Sequence, residues 1–180
     1  MKRCHWCNEN NPLYIHYHDE EWGRLCLKDA YLFEMLVLES FQAGLSWECV
    51  LNKREAFRSA LDQFNPQVIS NYDEAKLEEL LNNKAIIRHK QKLKAAVKNA
   101  QVFLRLQKEY GSFANYLLTF TKGRVYYEQH QVTSALSDAV AKDLRRQGMS
   151  FVGSTTVYAY LQAVGIIQSH EPECFLYKNK

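Results

Sequence analysis

Apolar positions recur at helical spacing through most of the chain. Between Asp29 and Gln42, Leu32, Met35 and Leu36 share one face, and Ala43 extends it in the three- and four-residue steps of a helix. The pattern predicts an amphipathic helix over 29–42, with Asp29 as its N-cap and Gly44 just past its end. After Arg88, Leu93, Val97, Ala100 and Leu104 fall on one side and most lysines on the other. Further helices are predicted near 47–63, 74–82, 89–109, 112–120, 134–147 and 154–164. Asn65-Pro66 and Tyr110-Gly111-Ser112 mark breaks. Gly153-Ser154-Thr155-Thr156 reads as a helix start and Gly165 as its stop. Seven glycines and three prolines are poor punctuation for an all-β fold. No internal repeat, low-complexity segment or linker interrupts the pattern. The expected architecture is all-α, one domain over residues 1–180 with two helical lobes sharing a core.

One residue breaks the pattern. Glu39 falls on the face of Leu32 and Leu36. A carboxylate there costs free energy unless it is paired or hydrogen-bonded. It is either a structural carboxylate capping a neighbouring backbone or a group held for a ligand. Trp6, Tyr14, Tyr17, Trp22 and Trp47 all lie in the first quarter of the chain. Each ring alone reads as ordinary core packing. Together, electron-rich rings and a carboxylate suit a flat, cationic ligand bound by stacking and cation–π attraction.

Charge adds a surface to this picture. The net charge of +3 over 180 residues is mild and does not by itself indicate nucleic acid. Its distribution says more. No acidic residue lies between Glu79 and Glu109, a stretch holding Lys84, Arg88, Lys90, Lys92, Lys94, Lys98, Arg105 and Lys108. A solvated helix face is the ordinary reading of such a run. The lack of acidic partners within it favours a polyanion-binding face instead. A tight turn between the helices on either side of residues 83–89 would expose backbone N–H groups to a phosphate. That is the logic of a helix–hairpin–helix, here about 74–108. Lys84, Ile86, Arg88, Lys90 and Lys92 are its candidate DNA contacts. No apolar run is long enough to span a membrane, and the N-terminus lacks a signal-peptide apolar region. An odd number of cysteines, five, argues against a disulfide framework, so a cytoplasmic protein with reduced thiols is expected.

The cysteines bear on metal binding. Cys4 and His18 near the start, with His170 and Cys174 near the finish, are ligand types that tetrahedral zinc prefers. Cys4-x-x-Cys7 offers a rival pair, and spacing across so long an interval leaves the choice open.

Several segments, in order, carry a resemblance. They are Arg3-Cys4-His5-Trp6, Pro12-Leu13-Tyr14-Ile15, Tyr17-His18-Asp19, Glu21-Trp22-Gly23, Leu32-Phe33-Glu34-Met35 and Leu38-Glu39. Gln42-Ala43-Gly44-Leu45-Ser46-Trp47 follows, then Ile86-Ile87-Arg88-His89, Phe151-Val152-Gly153, Gln162-Ala163-Val164-Gly165, His170 and Cys174. Over essentially its full length the chain resembles the bacterial 3-methyladenine DNA glycosylase I family, the constitutive type. The resemblance implies a helix–hairpin–helix glycosylase fold with a structural zinc clasp at Cys4, His18, His170 and Cys174. It implies a pocket in which Glu39 and Tyr17 hydrogen-bond the excised base and Trp47 stacks on it. Trp6 and Tyr14 line the same pocket, with Trp22 as lining or packing. The implied activity is hydrolysis of the N-glycosidic bond of 3-methyladenine in double-stranded, alkylated DNA by a monomeric enzyme.

The chain departs from the family in several places. His5 and Cys7 look like extras near the metal ligands. Ala85 stands where related hairpins often carry glycine, so a distorted turn is expected. The stretch 122–134 looks short. The wider superfamily places a catalytic aspartate beyond the hairpin. Asp138 and Asp143 are the aspartates available, and they read as helix-surface residues. The competing function is a non-catalytic, zinc-stabilised DNA-binding module, which would gain nothing from a buried carboxylate. A zinc hydrolase is disfavoured because four protein ligands leave no open position for water.

Overall fold

The computed structural model describes residues 1–178. Ten α-helices lie among them: α1 (Pro12–His16), α2 (Asp29–Gln42), α3 (Trp47–Leu51), α4 (Arg54–Ala60), α5 (Pro66–Ile69), α6 (Glu74–Asn82), α7 (Lys90–Tyr110), α8 (Phe113–Thr121), α9 (Ala135–Gln147) and α10 (Ser154–Ala163). A π-helical turn, Tyr17–Glu21, continues α1. One hydrophobic cluster runs from Cys4 to Cys174, so both ends of the chain share the core.

At the centre is α2, packed against α3, α7, α8 and α10. Leu32, Phe33, Met35, Leu36, Val37, Leu38, Glu39, Ser40 and Phe41 are all buried. From Met35 to Phe41 the expected amphipathic helix is therefore buried on every side, because neighbours cover the face that periodicity left to solvent. Asp29 is likewise not an N-cap. It is the first residue of α2, and its carboxylate accepts hydrogen bonds from the N–H groups of Phe113 (2.8 Å) and Ala114 (2.9 Å). It thus satisfies orphan donors at the start of α8, where the helix dipole also favours a negative charge.

Most helical boundaries follow the sequence pattern to within a residue or two. The span 47–63 does not. It divides into α3 and α4 at Asn52–Lys53, then ends in a turn where Asp62, Gln63 and Phe64 all have positive φ. Phe64 is buried, so the turn is held by its aromatic anchor. The fold is also not purely α. Strands β1 (Tyr126–Tyr127) and β2 (Ile167–Gln168) pair in parallel, with Tyr126 opposite Ile167. Two residues per strand are too few to show any alternation in sequence.

Gly165 shows why the chain turns where it does. Its φ is +78°, and a Cβ there would lie 2.3 Å from the backbone of Arg24 and Leu25. The same crossing carries the bonds Gly23 N–H to Gln162 O (3.1 Å) and Cys26 N–H to Val164 O (3.0 Å). Gly165→Ala combines a left-handed backbone with a clash against main chain that cannot rotate away. The expected result is loss of soluble, cooperatively melting protein. A variant melting within a few degrees of wild type would show that this crossing relaxes easily.

Candidate active site

The sequence sends neighbouring residues of the first 22 to two different places. Asn11 caps α1 by accepting from Leu13 N–H, and Pro12 occupies the first helical turn. The π-helical turn that follows carries Tyr17 towards a cavity and His18 towards the opposite end of the chain. Such π-turns are frequent at functional sites.

The cavity measures about 300 Å³. Trp6, Tyr14, Tyr17, Trp22, Glu39 and Trp47 all line it, as the sequence expectation required. Glu39 is 3% exposed, and burial alone pushes its carboxyl up to about 8. No ion pair or hydrogen bond to Glu39 forms among the described residues, so this is not a carboxylate capping a neighbouring backbone. Its energetic cost is left for a ligand to offset. Tyr17 is also buried, and its ring centroid lies 5.0 Å from that of Trp47. The Trp47 Nε1 is buried without a hydrogen-bond partner. Trp6 packs at 5.6 Å from Tyr14 and 4.8 Å from Trp22. A cation entering this space would favour ionised Glu39 and meet aromatic faces.

Behind Trp6 and Trp22 lies the second cluster. Cys4, His18, His170 and Cys174 are all buried, and their ligand atoms lie within 4.8 Å of one another. Cys4 Sγ and Cys174 Sγ are each 3.6 Å from His170 Nδ1, and Cys174 Sγ is 3.5 Å from His18 Nε2. Zinc bonds of about 2.3 Å to sulfur and 2.0–2.1 Å to nitrogen set tetrahedral edges of roughly 3.5 Å. The donor set therefore fits such an ion. Burial pushes the Cys4 thiol up to about 12, and burial, then His18, pushes His170 down to about 4. The His170 ring is thus already neutral, as a ligand must be, whereas the Cys4 thiol needs a cation to ionise. Asp19 Oδ1 lies 2.8 Å from His18 Nδ1, and Arg3 grips Asp19 through Nε (2.9 Å) and Nη2 (2.8 Å). These contacts orient the imidazole, as outer carboxylates do at metal sites.

The basic hairpin holds some expected contacts and moves others. Lys84, Arg88 and Lys90 are exposed. Ile86 is not: its side chain is 3% exposed and joins the core. Lys92 is not on the surface either. It is buried, and its Nζ donates to Phe41 O (2.9 Å) and Ala43 O (2.6 Å), closing the C-terminus of α2. A cation there complements the helix dipole and takes up orphan carbonyls. Nor does the strip lack acidic partners, because Lys94 pairs with Glu74 across the hairpin at 2.8 Å. Lys92→Met should leave those carbonyls unpaired, at a cost of about 1–3 kcal/mol. Urea unfolding should register that loss while the salt dependence of DNA binding stays as in wild type. An altered salt dependence with unchanged stability would return Lys92 to the surface.

Comparison with known proteins decides the family. Residues 6–177 match the family described as methyladenine glycosylase. The chain is 37% identical to DNA-3-methyladenine glycosylase 1 of Escherichia coli, over 98% of this chain and 97% of that protein. It is 36% identical to the DNA-3-methyladenine glycosylase of Haemophilus influenzae, covering 96% of each. A crystal structure of 3-methyladenine DNA glycosylase I superposes with TM-score 0.94 at 40% identity, covering 98% of this chain and 100% of that one. The Staphylococcus aureus enzyme, solved to explain 3-methyladenine recognition, superposes with TM-score 0.93 at 31% identity, covering 100% and 99%.

The chain belongs to the methyladenine glycosylase family.

Within that family the expected departures resolve differently. Cys7 stands apart from the Cys4–His18–His170–Cys174 cluster, its thiol directed at Tyr14 O (3.7 Å). His5 pairs with Glu171 instead. No residue from 83 to 89 has a positive φ, so Ala85 sits in its loop without left-handed backbone strain. Asp138 is exposed and bonded to Ser154. Asp143 accepts from Tyr116 OH at 2.8 Å, and neither lines the cavity. The 122–134 segment reaches the cavity mouth through Gln129, His130 and Gln131. Gln42, Gln162 and Glu171 line it too. None of these six is among the site residues expected from the sequence. Gln42 and Gln162 stood inside matching segments, whereas nothing in the pattern marked residues 129–131.

Proposed function

We infer that the protein is a DNA repair glycosylase that hydrolyses the N-glycosidic bond of 3-methyladenine, releasing the free base and leaving an abasic site. The observation that carries this reading is the unpaired Glu39 carboxylate among aromatic rings in a cavity the size of a small ligand. The substrate base leaves the stack to enter it, as enzymes acting on a base require. Methylation at N3 makes the nucleotide's base cationic and already a good leaving group, so little acid catalysis is needed. Glu39 and Tyr17 recognise the base edge, Trp47 stacks on it, and water is the nucleophile. Among the described residues no lysine lines the cavity, which supports a monofunctional hydrolase without a Schiff base.

Cys4, His18, His170 and Cys174 would hold one structural zinc. Four protein ligands leave it no open position, so its chemistry is confined to tying the termini together. The helix pair α6–α7 and its intervening loop would form the helix–hairpin–helix that meets the duplex. Support comes from exposed Lys84, Arg88 and Lys90 and from the N–H groups of Ile87 and Arg88, which have no acceptor among the described residues. Ile86 anchors the loop through its buried side chain, so any contact it makes with DNA would be through its backbone. The reading is of a monomer. No helix among the described residues is long and apolar enough to cross a membrane, and five free cysteines suit the reducing cytoplasm.

The direct test is incubation with alkylated duplex DNA and chromatography of the released bases. 3-Methyladenine should appear, with strands intact until alkali is added. DNA bound without any base released would favour the non-catalytic module. Arg88→Glu and Lys90→Glu should weaken binding to any duplex, with the slope of log affinity against log salt reduced by about one or two. Binding unchanged at low salt by fluorescence anisotropy would remove the hairpin from the interface.

A further inference from the structure

We propose that the terminal metal clasp also builds one wall of the base pocket, so that metal occupancy and base affinity are coupled through Trp6 and Trp22. This rests on the zinc and base-pocket readings above. The pocket has two halves of different construction. Glu39 and Trp47 stand on α2 and α3, which the core fixes independently. Trp6 stands on no helix or strand: it occupies a turn two residues after Cys4. What locates it is its neighbours. Its ring lies 5.2 Å from the His18 ring and 4.8 Å from that of Trp22. Trp22 in turn meets the His170 ring edge-on at 4.7 Å and 89°. It also lies nearly parallel to His18, at 6.5 Å and 17°. The two imidazoles of the clasp are therefore the backing on which both indoles rest, and both indoles line the cavity.

A metal ion would fix the backing. It holds each imidazole in one orientation and pins Cys4, the start of the Trp6 turn, to the far end of the chain. Without it, hydrogen bonds such as His5 N–H to Glu171 Oε2 (2.8 Å) still tether the two ends, and His18 keeps Asp19 as a partner, but the Cys4 and Cys174 thiols keep only weak contacts to His170, whose ring is no longer fixed behind Trp22. The indole wall then loses its fixed position, and a base must order it on binding. Linkage makes the effect reciprocal: a base in the cavity stabilises the occupied clasp.

The test uses the intact protein loaded with cobalt(II), whose visible absorption reports thiolate and imidazole coordination, and free 3-methyladenine as the probe. Metal content is measured first. Adding the base should shift the cobalt bands, and removing the metal should weaken base affinity roughly tenfold. Trp6→Leu should retain the metal but lose the spectral response to base. That arm needs no metal-free protein, so the test holds even if the metal-free chain unfolds. Bound cobalt with bands insensitive to saturating base would overturn the coupling while leaving a purely structural clasp. A protein that binds no metal fails the zinc reading instead. One that holds metal but no base fails the pocket reading, and either failure removes the proposal.

Discussion

Glu39→Gln should weaken base recognition markedly while making the protein more stable above neutral pH. The two effects share one cause. An unfolded glutamate ionises near 4.5, whereas burial holds the folded carboxyl protonated up to about 8. Between those values the native state carries a proton that the unfolded state has lost. Stability therefore falls as pH rises through that window and levels off above it. The penalty at pH 8.5 is on the order of 4 kcal/mol, and glutamine does not incur it. Urea unfolding at pH 5 and pH 8.5 should show wild type losing stability between them, with Glu39→Gln losing much less. Affinity for free 3-methyladenine should drop by roughly tenfold to a hundredfold, the worth of a hydrogen bond to a charged group. Excision should fall further, because only the ionised carboxylate favours a cationic base in the substrate. Retained base affinity, with a melting temperature that collapses at every pH, would make Glu39 a structural carboxylate.

Removing the metal, or substituting Cys174→Ser, should give a large loss of stability. The clasp joins Cys4 to Cys174 and so closes nearly the whole chain. By the loop-closure argument such a tie constrains the unfolded chain by about 5 kcal/mol. Part of this is retained by other terminal contacts, such as Phe175 N–H to Lys2 O at 2.9 Å. Elemental analysis should find one zinc per wild-type chain, much less in Cys174→Ser, and the full complement in Cys7→Ser. Thermal melts should follow the metal. Zinc lost with Cys7 but retained without Cys174 would exchange their roles.

Much of this protein was legible in the chain itself. Helical periodicity located α6 to α10 closely, because each has polar residues on one side and buried ones on the other. The chemistry at Glu39 was legible because an ionisable group among apolar residues needs a reason. The four candidate metal ligands and the pocket aromatics follow from residue type and family segments, and the fold brings each set together.

Tertiary structure decided the rest. Periodicity predicts an amphipathic α2, yet from Met35 to Phe41 every residue is buried, since a pattern shows where apolar residues lie but not how many neighbours cover them. Lys92 has the same charge as Lys90 and differs only in which way its helix faces. Two residues along α7, one ammonium meets solvent and the other the carbonyls of Phe41 and Ala43. Asp29 likewise serves α8, more than 80 residues away, rather than its own helix. The mouth residues Gln129, His130 and Gln131 carry no pattern because a loop has no periodicity to read. Local sequence determines what each segment prefers to be. Which side chains meet depends on the packing of segments distant in the chain, and there burial and charge pairing decide between alternatives of equal local preference.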